Sequence, residues 1–126
     1  MEVIMKWSFD FDETTRIVYV KTSGDLNIKE TEKIRKESYL IKEKYNANKF
    51  LLDHTEIKSG GLKIWELYDL PQKYRAEGYP RNSRLAVLVN ESYKETFDFY
   101  ETVSVNNGYK IKVFTNKNEA INWLSL

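Results

Sequence analysis

The stretch from Lys110 to Leu124 constrains the fold more than any other part of the sequence. Lys110-Ile-Lys-Val-Phe114 alternates polar and apolar residues as a short strand does, Thr115 or Asn116 can cap a helix, and Lys117 to Leu124 is amphipathic. A strand passing through one polar turn into a helix is the building unit of αβ architecture. The rest of the sequence repeats that alternation.

Lys6 to Phe11 alternates, Asp12 to Thr15 is turn-like, and Arg16 to Thr22 is rich in β-branched and aromatic residues, so the first elements read as a hairpin. Gly24 then breaks the strand. Asn27 is placed to cap a helix from Ile28 to about Tyr45, with Glu30 at its third position. Ile34, Leu40, Ile41 and Tyr45 favour one side of it, and Lys29, Glu32, Lys33, Lys36, Glu37 and Lys44 form a solvated face. After a turn at 46–48, Lys49 to Asp53 is a short buried strand, followed by a loop from His54 to Gly61. A second helix spans Leu62 to about Glu77, with Pro71 expected to kink or split it. Gly78 to Ser83 is a turn, Arg84 to Asn90 a central strand, and Ser92 to about Asn107 a third helix ended by Gly108. The order predicts a single α/β domain over residues 1–126. Its mixed sheet of about five strands is parallel in its later part, linked by right-handed crossovers and covered by about four helices.

Composition narrows the function. A chain of 126 residues buries roughly two-thirds of the surface its unfolded form exposes, enough for one core. Cysteine is absent, which excludes disulfides, thiolate metal sites and cysteine nucleophiles and makes a cytoplasmic setting the expectation. Neither a signal peptide nor a membrane span is expected, since the longest clearly apolar run is Leu85 to Val89. With 20 basic and 19 acidic residues, global charge gives no reason to expect nucleic acid. Lys73, Arg75, Arg81 and Arg84 form only a modest basic cluster, and solvated charge is the expectation there.

No residue set points to catalysis, and no cofactor is expected. His54 is the sole histidine, so no transition-metal set can be completed around it. Asp53 and His54 are adjacent on a strand and point to opposite faces, which leaves His54 with a structural role. The carboxylate pairs Asp10 with Asp12 and Asp98 with Glu101 lack an acid-base partner and read as surface. Ser59, Gly60 and Gly61 precede a helix, where free N–H groups and the helix dipole suit an anion or a phosphoserine. Trp65, Tyr68, Tyr74 and Tyr79, with Leu67 and Leu70, wrap further around the second helix and its following loop than one core face requires. That surplus predicts a small apolar ligand, a protein partner or a second copy of the chain.

Three segments carry a resemblance. They are Val20-Lys-Thr-Ser-Gly-Asp-Leu-Asn27, Leu51-Leu-Asp-His-Thr-Glu-Ile-Lys-Ser-Gly-Gly-Leu62 and Val113-Phe-Thr-Asn-Lys-Asn-Glu-Ala-Ile-Asn-Trp-Leu124. In order and spacing they resemble the SpoIIAA-like family, relatives of the sulfate transporter and anti-sigma factor antagonist (STAS) domain. The resemblance implies a STAS-like fold and a non-enzymatic binding or regulatory role. In anti-sigma factor antagonists a serine of the middle segment is phosphorylated, and Ser59 is its nearest equivalent. Here Lys58 stands where the family has Asp, and Gly60 where it has a second Ser. The SpoIIAA-like branch also resembles lipid-carrying CRAL-TRIO domains in architecture, which implies an apolar ligand between helices and sheet. The expected contact surface is the loop 53–61 with the helix 62–74.

Overall fold

The structure is a computed structural model that describes residues 4–58 and 63–126. Its elements run β1 (Lys6–Asp12), β2 (Ile17–Gly24), α1 (Ile28–Tyr45), β3 (Lys49–Ile57), α2 (Ile64–Ala76), β4 (Arg84–Leu88), α3 (Glu91–Asn106), β5 (Lys110–Phe114) and α4 (Lys117–Leu124). The strands lie side by side in chain order. Only β1 with β2 is antiparallel; the other neighbours are parallel.

That order dictates the layers. Successive right-handed crossovers that always step in one direction place their helices on one face of the sheet. Val18, Val20, Phe50, Val87, Ile111 and Val113 accordingly pack with Ile34 of α1, Leu67, Leu70 and Tyr74 of α2, and Phe97 and Tyr100 of α3. Their strand neighbours Ile17, Leu51, Ala86, Leu88 and Phe114 face the other way and meet Ala120 and Leu124 of α4. Each strand from β2 to β5 therefore contributes alternate residues to two separate cores.

Helix limits follow the caps. The Asn27 side chain accepts the Glu30 N–H at 3.0 Å, and Asn46 ends α1 in the left-handed conformation. Asn116 repeats the N-terminal device at α4 through the Glu119 N–H. Gly24 ends β2 at φ +86°, where a Cβ would stand 2.3 Å from the Ile4 carbonyl oxygen, so only glycine fits that approach. Pro71 does not split α2: the helix continues to Ala76.

Two expectations need correction. Leu40 is 72% exposed and does not belong to the buried stripe of α1; the buried residues there are Ile34 and Arg35. The segment after Asp53 is not a loop, because β3 continues through His54 to Ile57. Its pairing slips by one residue: Lys21 stands opposite Asp53, but Ser23 stands opposite Glu56. This bulge inserts a residue and reverses the facing of everything beyond it. Phe50, Leu52 and His54 share the three-helix face, and after the bulge Ile57 takes it over. Asp53 secures the bulge by accepting from the Thr55 N–H at 2.9 Å and the Thr55 hydroxyl at 2.6 Å.

Candidate functional site

A slot opens between α1 and α2 above the middle of the sheet. Its floor is Val20, Phe50, Leu52, Leu85 and Val87; α1 supplies one wall from Thr31 to Lys42, and Leu67, Leu70 and Tyr74 of α2 supply the other. At 1.5 Å per residue the α1 wall is about 16 Å long. The free volume of the slot is about 90 Å³. A cavity of about 150 Å³ holds a benzene ring, so this one admits a small ring only if its walls part slightly. α2 is packed on α3, whereas α1 and α2 approach each other at few points.

Polar groups mark the ends of this apolar space. His54, 3% exposed, lines the slot at the bulge, with Nδ1 at 2.6 Å from the Thr22 hydroxyl and its ring tilted against Phe97. Burial lowers its pKa to about 4, an effect the Asp53 carboxylate only partly offsets, so the ring is neutral at pH 7. Ser83 lines the opposite end, and its hydroxyl is buried with no partner among the described residues. A buried hydroxyl in that condition costs stability unless something occupies the space beside it.

At the mouth, Arg35 of α1 forks onto Glu77, just past α2, through bonds of 3.0 and 3.1 Å. The Tyr39 hydroxyl donates to the same carboxylate at 3.1 Å. Partial burial alone would raise the Glu77 carboxyl, but the hydrogen bonds and charge of Arg35 outweigh it and hold the group below its ordinary value. The Arg35 guanidinium also lies over the Tyr74 ring, which packs with Tyr79 and Tyr109. The Tyr74 and Tyr100 hydroxyls meet at 2.6 Å, and burial raises both above the ordinary tyrosine range. Both are neutral bonding groups at physiological pH.

The four aromatic residues singled out in the sequence divide into two pairs. Tyr74 and Tyr79 line the slot, while Trp65 and Tyr68 stand on the outer side of α2, 61% and 55% exposed. Ser59, Gly60 and Gly61 lie outside the described residues. Among the basic cluster, Arg75 bonds Asn107, Arg84 bonds the Trp123 carbonyl, and Arg81 lies over the Tyr109 ring. Glu101 accepts the Val113 N–H at 2.6 Å and so ties α3 to β5 instead of lying idle at the surface. Among the described residues no acidic or histidine cluster could hold a metal, and no helix is long and apolar enough to cross a membrane.

Among solved structures that match this arrangement is one that does so over nearly its whole length. It is that of an uncharacterised protein of the DUF3478 family with a SpoIIAA-like fold, from Shewanella loihica PV-4. The two chains superpose with a TM-score of 0.59 at 18% identity, covering 98% of this chain and 96% of the other. The fold is SpoIIAA-like. No family model and no curated protein matches the chain. On this SpoIIAA-like, STAS-like frame the slot lies between the first two crossover helices and the sheet.

Sequence reasoning gave His54 a structural role and did not single out Arg35, which also lines the slot, nor their partners Thr22 and Glu77. A signal for the wall was present in the spacing of Leu67, Leu70 and Tyr74, which share one helical stripe that excludes Trp65 and Tyr68. No comparable local signal joins Arg35 to Glu77.

Proposed function

We propose that this domain is a non-enzymatic binding module of the cytoplasm that holds a small apolar or amphipathic molecule in the slot between α1 and α2. The observation that carries the reading is an apolar slot bordered by polar side chains, one of them the unpartnered Ser83 hydroxyl. Binding sites are largely apolar, with a few convergent polar groups that fix orientation. Native mass spectrometry of the purified protein, followed by denaturing extraction, tests it. A retained small molecule supports the proposal; a chain that emerges empty and takes up no small apolar compound when one is supplied contradicts it.

A second reading rests on a different surface. Trp65 and Tyr68, three residues apart on the outer side of α2, suit a protein partner or a second copy of this chain. Replacing Trp65 by Ala without any change in oligomeric state or partner binding counts against it. A regulator of the anti-sigma factor antagonist type, switched through phosphate on Ser59, is the remaining alternative. The intact mass of the cellular protein, compared with that of Ser59→Ala, decides it.

A further inference from the structure

The ring of His54 restricts what the slot can recognise, a step that rests on the binding reading above. The Thr22 hydroxyl oxygen lies 3.0 Å from the Asp53 carbonyl oxygen and 2.6 Å from His54 Nδ1. A hydroxyl has one proton to give, and a carbonyl oxygen only accepts. Both contacts are satisfied together when Thr22 donates to the carbonyl and His54 donates its Nδ1–H to Thr22. The neutral ring then carries its proton on Nδ1, and Nε2 is a bare acceptor.

Nε2 is the ring nitrogen farther from the backbone. His54 lines the slot together with Leu67, Val87 and Phe97, and with Nδ1 turned to Thr22, Nε2 is the ring nitrogen left for the slot. Among the described residues no group donates to it. The surrounding pattern makes a histidine here conspicuous, because Leu52 before it and Ile57 after it fill the same face with apolar bulk. Packing alone is served by another aliphatic side chain. The bulge at this point, held by the Asp53 side chain, is of the kind that re-aims a residue beside a site.

We infer that the slot takes a small neutral molecule with an apolar or aromatic body and one O–H or N–H group, which donates to Nε2 of His54. Phenols are the simplest members of this class. Thr22 acts as a positioning residue, fixing the tautomer without touching the ligand.

The sole histidine gives an unambiguous probe. In the 15N-labelled full chain, long-range 1H–15N spectra at pH 7 should show the Nδ1–H tautomer. Saturating phenol should shift Nε2, and saturating toluene should leave it in place. In His54→Phe, which keeps a ring in the space, toluene should still bind, and the phenol-to-toluene affinity ratio should fall about tenfold relative to the natural chain. An Nε2–H tautomer, or an unchanged ratio in His54→Phe, overturns the inference and leaves the slot as a binding site. Failure of both probes to bind the natural chain overturns the binding reading, and this inference with it.

Discussion

The two faces of the sheet are built from the same strands to opposite standards. On the α4 side, Ile17, Leu51, Ala86, Leu88, Phe114, Ala120 and Leu124 make a wholly apolar core, several of them with no exposed surface. On the other side three helices cover a larger area, and that layer admits His54, Thr22, Ser83 and a tyrosine cluster beside an incompletely filled slot. Close-packed interiors seldom leave such space, and buried polar groups are costly when unpaired. The comparison sets a tightly filled α4 face against a three-helix face that keeps a slot, the space that the proposal above gives to a ligand.

Large-to-small substitutions should separate the faces most sharply. Leu124→Ala removes a fully buried side chain from the tight cluster and should cost about 2–5 kcal/mol in urea unfolding. Leu52→Ala, at a half-buried slot position, should cost only about 1–2 kcal/mol. Equal costs would erase the distinction.

Acid should act through the three-helix face. An unfolded chain protonates His54 near 6.5, whereas the folded chain resists until about 4 because burial penalises the charge. The unfolded state thus binds the extra proton first as pH falls. Stability from the neutral ring is complete above 6.5 and is lost between 6.5 and 4, by about 3 kcal/mol. In His54→Phe that segment of the stability-pH curve should be flat, while Leu124→Ala should keep it.

A smaller effect is expected at the slot mouth. Glu77→Gln leaves the mostly buried Arg35 without its carboxylate and should cost about 1–3 kcal/mol. Hydrogen exchange should quicken in α1 and stay unchanged in α4. Trp65→Ala, on the outer surface, should alter stability by no more than about 0.5 kcal/mol, so any loss of self-association or partner binding there can be read as an interface effect.

The parts of this molecule that were visible in the sequence are those fixed by neighbours in the chain. Asn27 and Asn46 delimit α1, and Asn116 starts α4, because a cap bonds within a few residues of itself. The α/β order followed from that spacing and from the strand-helix alternation, while the SpoIIAA-like fold was what the resemblance of three segments implied. β3 was cut short at Asp53 because the bulge breaks the alternation by which a strand is recognised. Leu40 was misassigned because helical periodicity marks a stripe but not how far the neighbouring layer reaches over it. The slot was not visible, since it gathers Val20, His54, Val87 and Phe97 from four elements. The clasp between Arg35 and Glu77 spans 42 residues and likewise exists only in the folded chain.

The contrast between the faces is tested most directly by a methyl-labelled spectrum of the full chain titrated with toluene. The account predicts saturable shifts at Val20, Leu52, Leu67, Leu70 and Val87, which line the slot, with the methyls of Leu51, Leu88 and Leu124 unmoved. No saturable shift, or shifts spread equally over both sets, would contradict it.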